Sequence, residues 1–125
     1  AELLFKSAEQ THAFNFPYQL GSHGEPPGSA QTAQHALARD DLVVLGSDGL
    51  FDNVSAEEVR AVVEQCAAEG LRDAEALARR VAEAAQRAAV DPRRDSPFAR
   101  AARRAGLLHR GGKLDDITVV VGRVR

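Results

Sequence analysis

The sequence predicts an α+β domain, in which apolar strands pack on a layer of helices. Three observations carry this reading. Two strongly apolar runs, Leu42–Gly46 and Ile117–Val124, have the length and β-branched content of core strands. Between them, residues 55–105 show helical spacing of apolar positions, broken by recognisable start and stop residues. The chain therefore runs strand, strand, strand, strand, helix, helix, helix, strand, with the two apolar runs expected as neighbours in one sheet.

Residues 2–6 (Glu-Leu-Leu-Phe-Lys) and 12–16 (His-Ala-Phe-Asn-Phe) read as short strands joined by a polar turn and closed by Pro17. Residues 20–32 are rich in Gly, Pro and Ser and form a loop. Residues 34–38 form a weak strand, and Asp40-Asp41 makes the turn into Leu42–Gly46. That run lacks polar alternation, so both of its faces are expected to be covered.

Ser55-Ala-Glu-Glu58 is a capping box, in which the Ser55 hydroxyl caps the helix and Glu58 reaches back to the Ser55 amide. The helix continues to about Glu69, places Val59, Val62, Val63 and Cys66 on one face, and stops at Gly70. A second helix fits Asp73 to Val90, with an inner stripe of Leu77, Val81, Ala84, Ala85 and Ala88. Ser96-Pro97 opens a third, which ends near Ala105 and Gly106. Gly111-Gly112 then permits a close approach before the last strand.

Composition narrows the function classes. Aromatics make up only 5% of the 125 residues, so Ala and the branched aliphatics must fill the core. Residues 1–71 hold three Lys or Arg against eleven Asp or Glu, whereas residues 72–110 hold ten Arg against five acids. An acidic first part suits cation binding. The Arg-rich part reads as a solvated Arg/Glu helix surface, with a phosphate-bearing partner as the other reading. Arg93–Arg104 lacks the interleaved aromatics of a nucleic-acid surface, so no nucleic-acid partner is expected.

Cys66 is the only cysteine, which excludes a disulfide framework and a thiolate metal cluster, and its place in a helical stripe reads as packing. Ser22-His23 lies in the Gly/Pro loop and is not read as a hydrolase constellation. No apolar run approaches the ~18 residues of a membrane span. The chain opens at Ala1 and contains no Met, and is read as a fragment whose N-terminal half is missing.

The chemistry concentrates in two acidic turns. One is Gly46-Ser-Asp-Gly-Leu-Phe-Asp-Asn-Val-Ser55, directly after a core strand. The other is Gly111-Gly-Lys-Leu-Asp-Asp-Ile117, directly before one. A carboxylate fixed at a strand end can be aimed, and two from neighbouring strands can converge on a hard cation that takes oxygen ligands. In isolation each turn also fits a local Asp-Gly or Asp-Asp turn with no ligand.

These segments, with Phe16-Pro-Tyr-Gln-Leu20 and Asp91-Pro-Arg-Arg-Asp-Ser-Pro-Phe-Ala99, resemble the C-terminal half of a type 2C metal-dependent protein serine/threonine phosphatase. Within that family they are most similar to the organellar branch typified by the T-cell-activation phosphatase and its plant relatives. The resemblance implies a four-layer αββα sandwich of antiparallel sheets, with residues 1–125 as the C-terminal portion of a single phosphatase domain. It implies two Mg²⁺ or Mn²⁺ ions in the intact parent, hydrolysis of phosphoserine or phosphothreonine by a water activated between them, and no side-chain nucleophile. Phosphoprotein is then the substrate, the intact protein is a monomer, and the compartment is mitochondrion or chloroplast.

Position by position, the resemblance makes Asp48 and Asp115 metal ligands. Asp116 is assigned hydrogen bonding behind them, and Asp52 and Asn53 the capping of the turn into the helix. The remaining ligands, the phosphate-binding Arg and the general-acid His would lie upstream of Ala1, and His12, His23, His35 and His109 match none of these roles. The other class consistent with the residues is a non-catalytic interaction module, and on either reading the fragment alone is expected to be inactive.

Overall fold

The computed structural model describes all 125 residues. A minimal hairpin, β1 (Thr11–Ala13) and β2 (Phe16–Pro17), comes first, followed by a single 3₁₀ turn over Pro27–Ser29. β3 (Leu42–Gly46) runs into the one-turn helix α1 (Asp48–Phe51). Helices α2 (Ala56–Ala68), α3 (Ala74–Ala89) and α4 (Pro97–Arg104) precede β4 (Val119–Arg123). The arrangement is helices on an antiparallel ribbon, which is the α+β class expected.

β3 and β4 are neighbours, as their shared apolar character implied. They pair antiparallel with Leu42 opposite Arg123, Val44 opposite Val121 and Gly46 opposite Val119. The pairing continues at both ends: Ser47 N–H donates to Thr118 O (3.0 Å), and Val124 N–H to Asp41 O (2.9 Å). The turn into β3 places Asp40 at φ 72°, a left-handed conformation that a short polar side chain tolerates.

Helix boundaries follow the start and stop residues. Both halves of the Ser55–Glu58 capping box form, with Glu58 N–H donating to Ser55 Oγ (3.2 Å) and Ser55 N–H to Glu58 Oε2 (2.7 Å). Asp73 and Ser96 accept from the amides of Ala76 and Ala99 in the same way. Gly70 and Gly106 end their helices at φ 76° and 78°, where a side chain would be strained.

The core lies where α1, α2 and α3 meet the inner face of the ribbon. Leu50, Val54, Val59, Val81, Ala85 and Ala88 form one buried cluster, with Val44, Phe51, Val62, Ile117 and Val119 packed against it. Cys66 is buried, as its place in the stripe required. Gly112 lets the loop before β4 lie on α3, for a Cβ there would sit 2.0 Å from Ala88 O.

Three expectations are corrected. Residues 2–6 and 34–38 are not strands, because neither finds a ladder partner, and Leu3 and Leu4 stay exposed. Residues 12–16 are not one strand but the two arms of a hairpin that turns at Phe14-Asn15, where Asn15 has φ 53°. Within residues 1–125 the helices cover one face of β3, and no other segment covers the second, in keeping with the sequence: Leu42, Val44 and Gly46 face the helices, while Val43 and Leu45 face outward, Leu45 at 63% exposure. Val120 of β4, opposite Leu45, is exposed beside it. The third correction is α1, which the sequence reads as a turn; Leu50 and Phe51 N–H donate to Ser47 O, and Asp52 N–H donates to Asp48 O.

Candidate metal centre

Both acidic turns lie at one end of the β3–β4 ribbon. Asp48 is the first residue of α1, one residue beyond the N-cap position of Ser47, so its carboxylate projects from the helix start. Asp115 precedes β4 across the ribbon. Ligand oxygens of Asp48, Asp115 and Asp52 all lie within 4.8 Å of one another. The two residues singled out from the sequence are thus brought together, and Asp52 joins them.

Side chains remote in sequence hold the two turns in register. Ser47 Oγ donates to Asp116 O (3.3 Å) and accepts from Thr118 N–H (3.0 Å). Asn53 is fully buried, and its amide donates to Gly49 O (2.8 Å) and Lys113 O (2.9 Å) while accepting from Lys113 N–H (2.8 Å). Gly49 is required by contact as well, since a Cβ would fall 2.1 Å from Asp116 O. Asn53 and Asp52, expected to cap the turn into α2, instead tie that turn to the loop before β4, and Ser55 caps the helix as expected. Asp116 contributes its backbone, its N–H donating to Asp115 Oδ1 (2.8 Å).

Lys113 was not anticipated. Its ammonium donates to Asp52 Oδ2 (2.8 Å) and lies 3.7 Å from Asp115 Oδ2 and 4.0 Å from Asp48 Oδ2. It also stands over the Phe98 ring, 4.6 Å from the centroid. Burial works against its charge, but the Asp52 hydrogen bond and the three negative charges outweigh it and raise its pKa. Asp52 moves upward too: its own burial outweighs the Lys113 contact, and the Asp48 charge adds to the rise. The directions are compatible because the ammonium faces three carboxylates, whereas Asp52, 18% exposed, has only one cation to offset its desolvation.

The donor set fits a hard divalent cation. It is all oxygen and doubly negative after Lys113 is counted, and Asp48 at 72% exposure leaves the open side to water. Mg²⁺ keeps several waters and needs only one or two carboxylates, which this arrangement offers.

Half of the Arg in the Arg-rich segment are salt-bridged, some to acids within it and some to α2 and its end. Arg94 donates to Asn53 O and to Glu58, and Arg103 pairs with Asp95. This is the solvated, salt-bridged surface that the charge pattern allowed.

Residues 21–92 match the family model described as Protein phosphatase 2C, a span that contains Asp48 and Asp52. Across 97% of its length the chain is 45% identical to probable protein phosphatase 2C 80 of Arabidopsis thaliana, covering 30% of that protein. Across 98% it is 36% identical to the protein phosphatase PTC7 homolog fig of Drosophila melanogaster, covering 42%. The chain thus spans well under half the length of these relatives. Among solved structures, it superposes on the X-ray structure of the photosystem II phosphatase PBCP with a TM-score of 0.84 and 32% identity, over 98% of this chain and 51% of the other. The fold, the two acidic turns and these matches place the chain in the protein phosphatase 2C family.

Proposed function

We propose that residues 1–125 are the C-terminal portion of a single phosphatase domain that hydrolyses phosphoserine and phosphothreonine in proteins, with Asp48 and Asp115 as metal ligands. The observation that carries this reading is the convergence of carboxylates from both strands at one end of the β3–β4 ribbon in a chain of this family. Mg²⁺ or Mn²⁺, two ions in the intact parent, would supply the Lewis acidity that activates water and offsets charge on the phosphoryl oxygens. The chain's own residues hold and aim. Asp48 and Asp115 bind, Ser47 and Asn53 fix their separation, and Lys113 engages Asp52.

No side chain here is assigned as nucleophile. Cys66 is buried in the helix layer. The substrate is a phosphoprotein, and the working unit is a monomer. No helix is long and apolar enough to cross a membrane. The compartment on this reading is mitochondrion or chloroplast, and the likeness to a photosystem II phosphatase supports the second of these. Retention of aimed carboxylates favours catalysis over a purely interacting module.

The test is Mn²⁺-dependent phosphate release from a phosphothreonine peptide by the intact parent. Asp48→Asn and Asp115→Asn should each lower turnover by at least ~100-fold, because each removes a charge that holds a metal. Undiminished turnover in Asp48→Asn would overturn the ligand assignment.

A further inference from the structure

Lys113 is the one cation among three carboxylates, and its position is fixed independently of them. Its backbone N–H and C=O are both taken by Asn53, itself fully buried, so the residue cannot slide along the loop. Its side chain is only 21% exposed and crosses the Phe98 ring. The ammonium thus arrives between Asp52, Asp115 and Asp48 on a rigid stem.

A cation held that way does two things. It lowers the net charge of the cluster from −3 to −2. It also occupies Asp52, the least exposed of the three, with a direct hydrogen bond, leaving Asp48 and Asp115 free of short contacts with the ammonium. With the Lys113 side chain replaced by a neutral one, Asp52 is a third carboxylate within reach of the same ion.

We propose that Lys113 is a built-in counter-cation that sets metal affinity by withholding Asp52, so that the metal at this cluster is held by Asp48 and Asp115 without it. Lys113 is a positioning residue here, acting on the metal through Asp52. The inference rests on the metal-site reading above, and the experiment separates the two.

Mn²⁺ affinity is measured by calorimetric titration of the intact parent and its variants, with circular dichroism confirming the fold of each. Lys113→Met and Lys113→Gln, the latter keeping a hydrogen-bond donor while removing the charge, should bind Mn²⁺ about tenfold tighter, equivalent to ~1.4 kcal/mol. Lys113→Arg should stay near the unmodified parent. Adding Asp52→Asn to Lys113→Met should return affinity towards the starting value, because the gain is made through Asp52. A merely structural lysine would give neutral variants with unchanged or weaker binding. If that is seen while Asp48→Asn still abolishes binding, the counter-cation proposal falls and the metal site stands. Absence of saturable Mn²⁺ binding in every protein would overturn both.

Discussion

Replacing Asn53 with Ala should separate the two acidic turns and destabilise the chain together. Asn53 makes three hydrogen bonds, to Gly49 O, to Lys113 O and from Lys113 N–H, at 2.8, 2.9 and 2.8 Å, and is fully buried. A typical intramolecular hydrogen bond contributes about 1 kcal/mol net, so three amount to roughly 3 kcal/mol. Truncation also strands the Lys113 amide in a site closed to water, which adds about 1–2 kcal/mol unless the loop opens. The expected loss is therefore ~3–5 kcal/mol. Urea unfolding followed by circular dichroism reads it directly: with a slope near 2 kcal/mol per molar, the midpoint should fall by about 1.5–2.5 M. Asn53→Asp keeps the acceptor for Lys113 N–H but replaces two donor bonds with a buried charge beside Asp52, so it should be no more stable than Asn53→Ala. A midpoint shift below ~0.3 M in Asn53→Ala would refute the view that this side chain ties the turns together.

Other residues give sharp expectations. Gly49→Ala must push the start of α1 away from Asp116 O, which a Cβ would meet at 2.1 Å; a cost of roughly 1–3 kcal/mol in thermal unfolding and a weakened Mn²⁺ site should appear together. Glu58 is desolvated, yet the Arg94 and Ser55 hydrogen bonds outweigh that and hold its carboxyl below its usual 4.5. Its contribution is therefore complete above pH ~4.5 and is lost as pH falls through the lower folded value. Glu58→Gln should cost about 0.5–1 kcal/mol at pH 7, discounted for its partial exposure, and the gap to the unmodified chain should close in unfolding measured progressively below pH 4.5.

Local signals in the sequence mapped well onto local structure. Leu42–Gly46 is a strand with those bounds, and the Ser55, Asp73 and Ser96 starts and the Gly70 and Gly106 stops are where side-chain chemistry put them. The last strand was read two residues too early because Ile117 and Thr118 are as apolar or β-branched as their successors. There Thr118 bonds Ser47 beyond the regular ladder.

Propensity without a partner misled at residues 2–6 and 34–38, where nothing pairs. Asp48 and Asp115 were legible because each abuts a core strand. Asn53 and Lys113 were not, since they meet across 60 positions and neither carries a local pattern. A signal was nonetheless available: Lys113 stands two residues before Asp115, on the same side of an extended segment, where a cation beside a proposed metal ligand invites a counter-charge reading.

The most direct test of the account is where a paramagnetic ion settles. In amide spectra of the isotopically labelled intact parent, substoichiometric Mn²⁺ should selectively broaden Ser47, Gly49, Leu50, Asp115, Asp116 and Ile117, with Asp48→Asn abolishing the effect. Broadening centred on other acidic surface, such as Glu57 and Glu64 on α2, or no selective broadening, would contradict a metal centre built from Asp48 and Asp115.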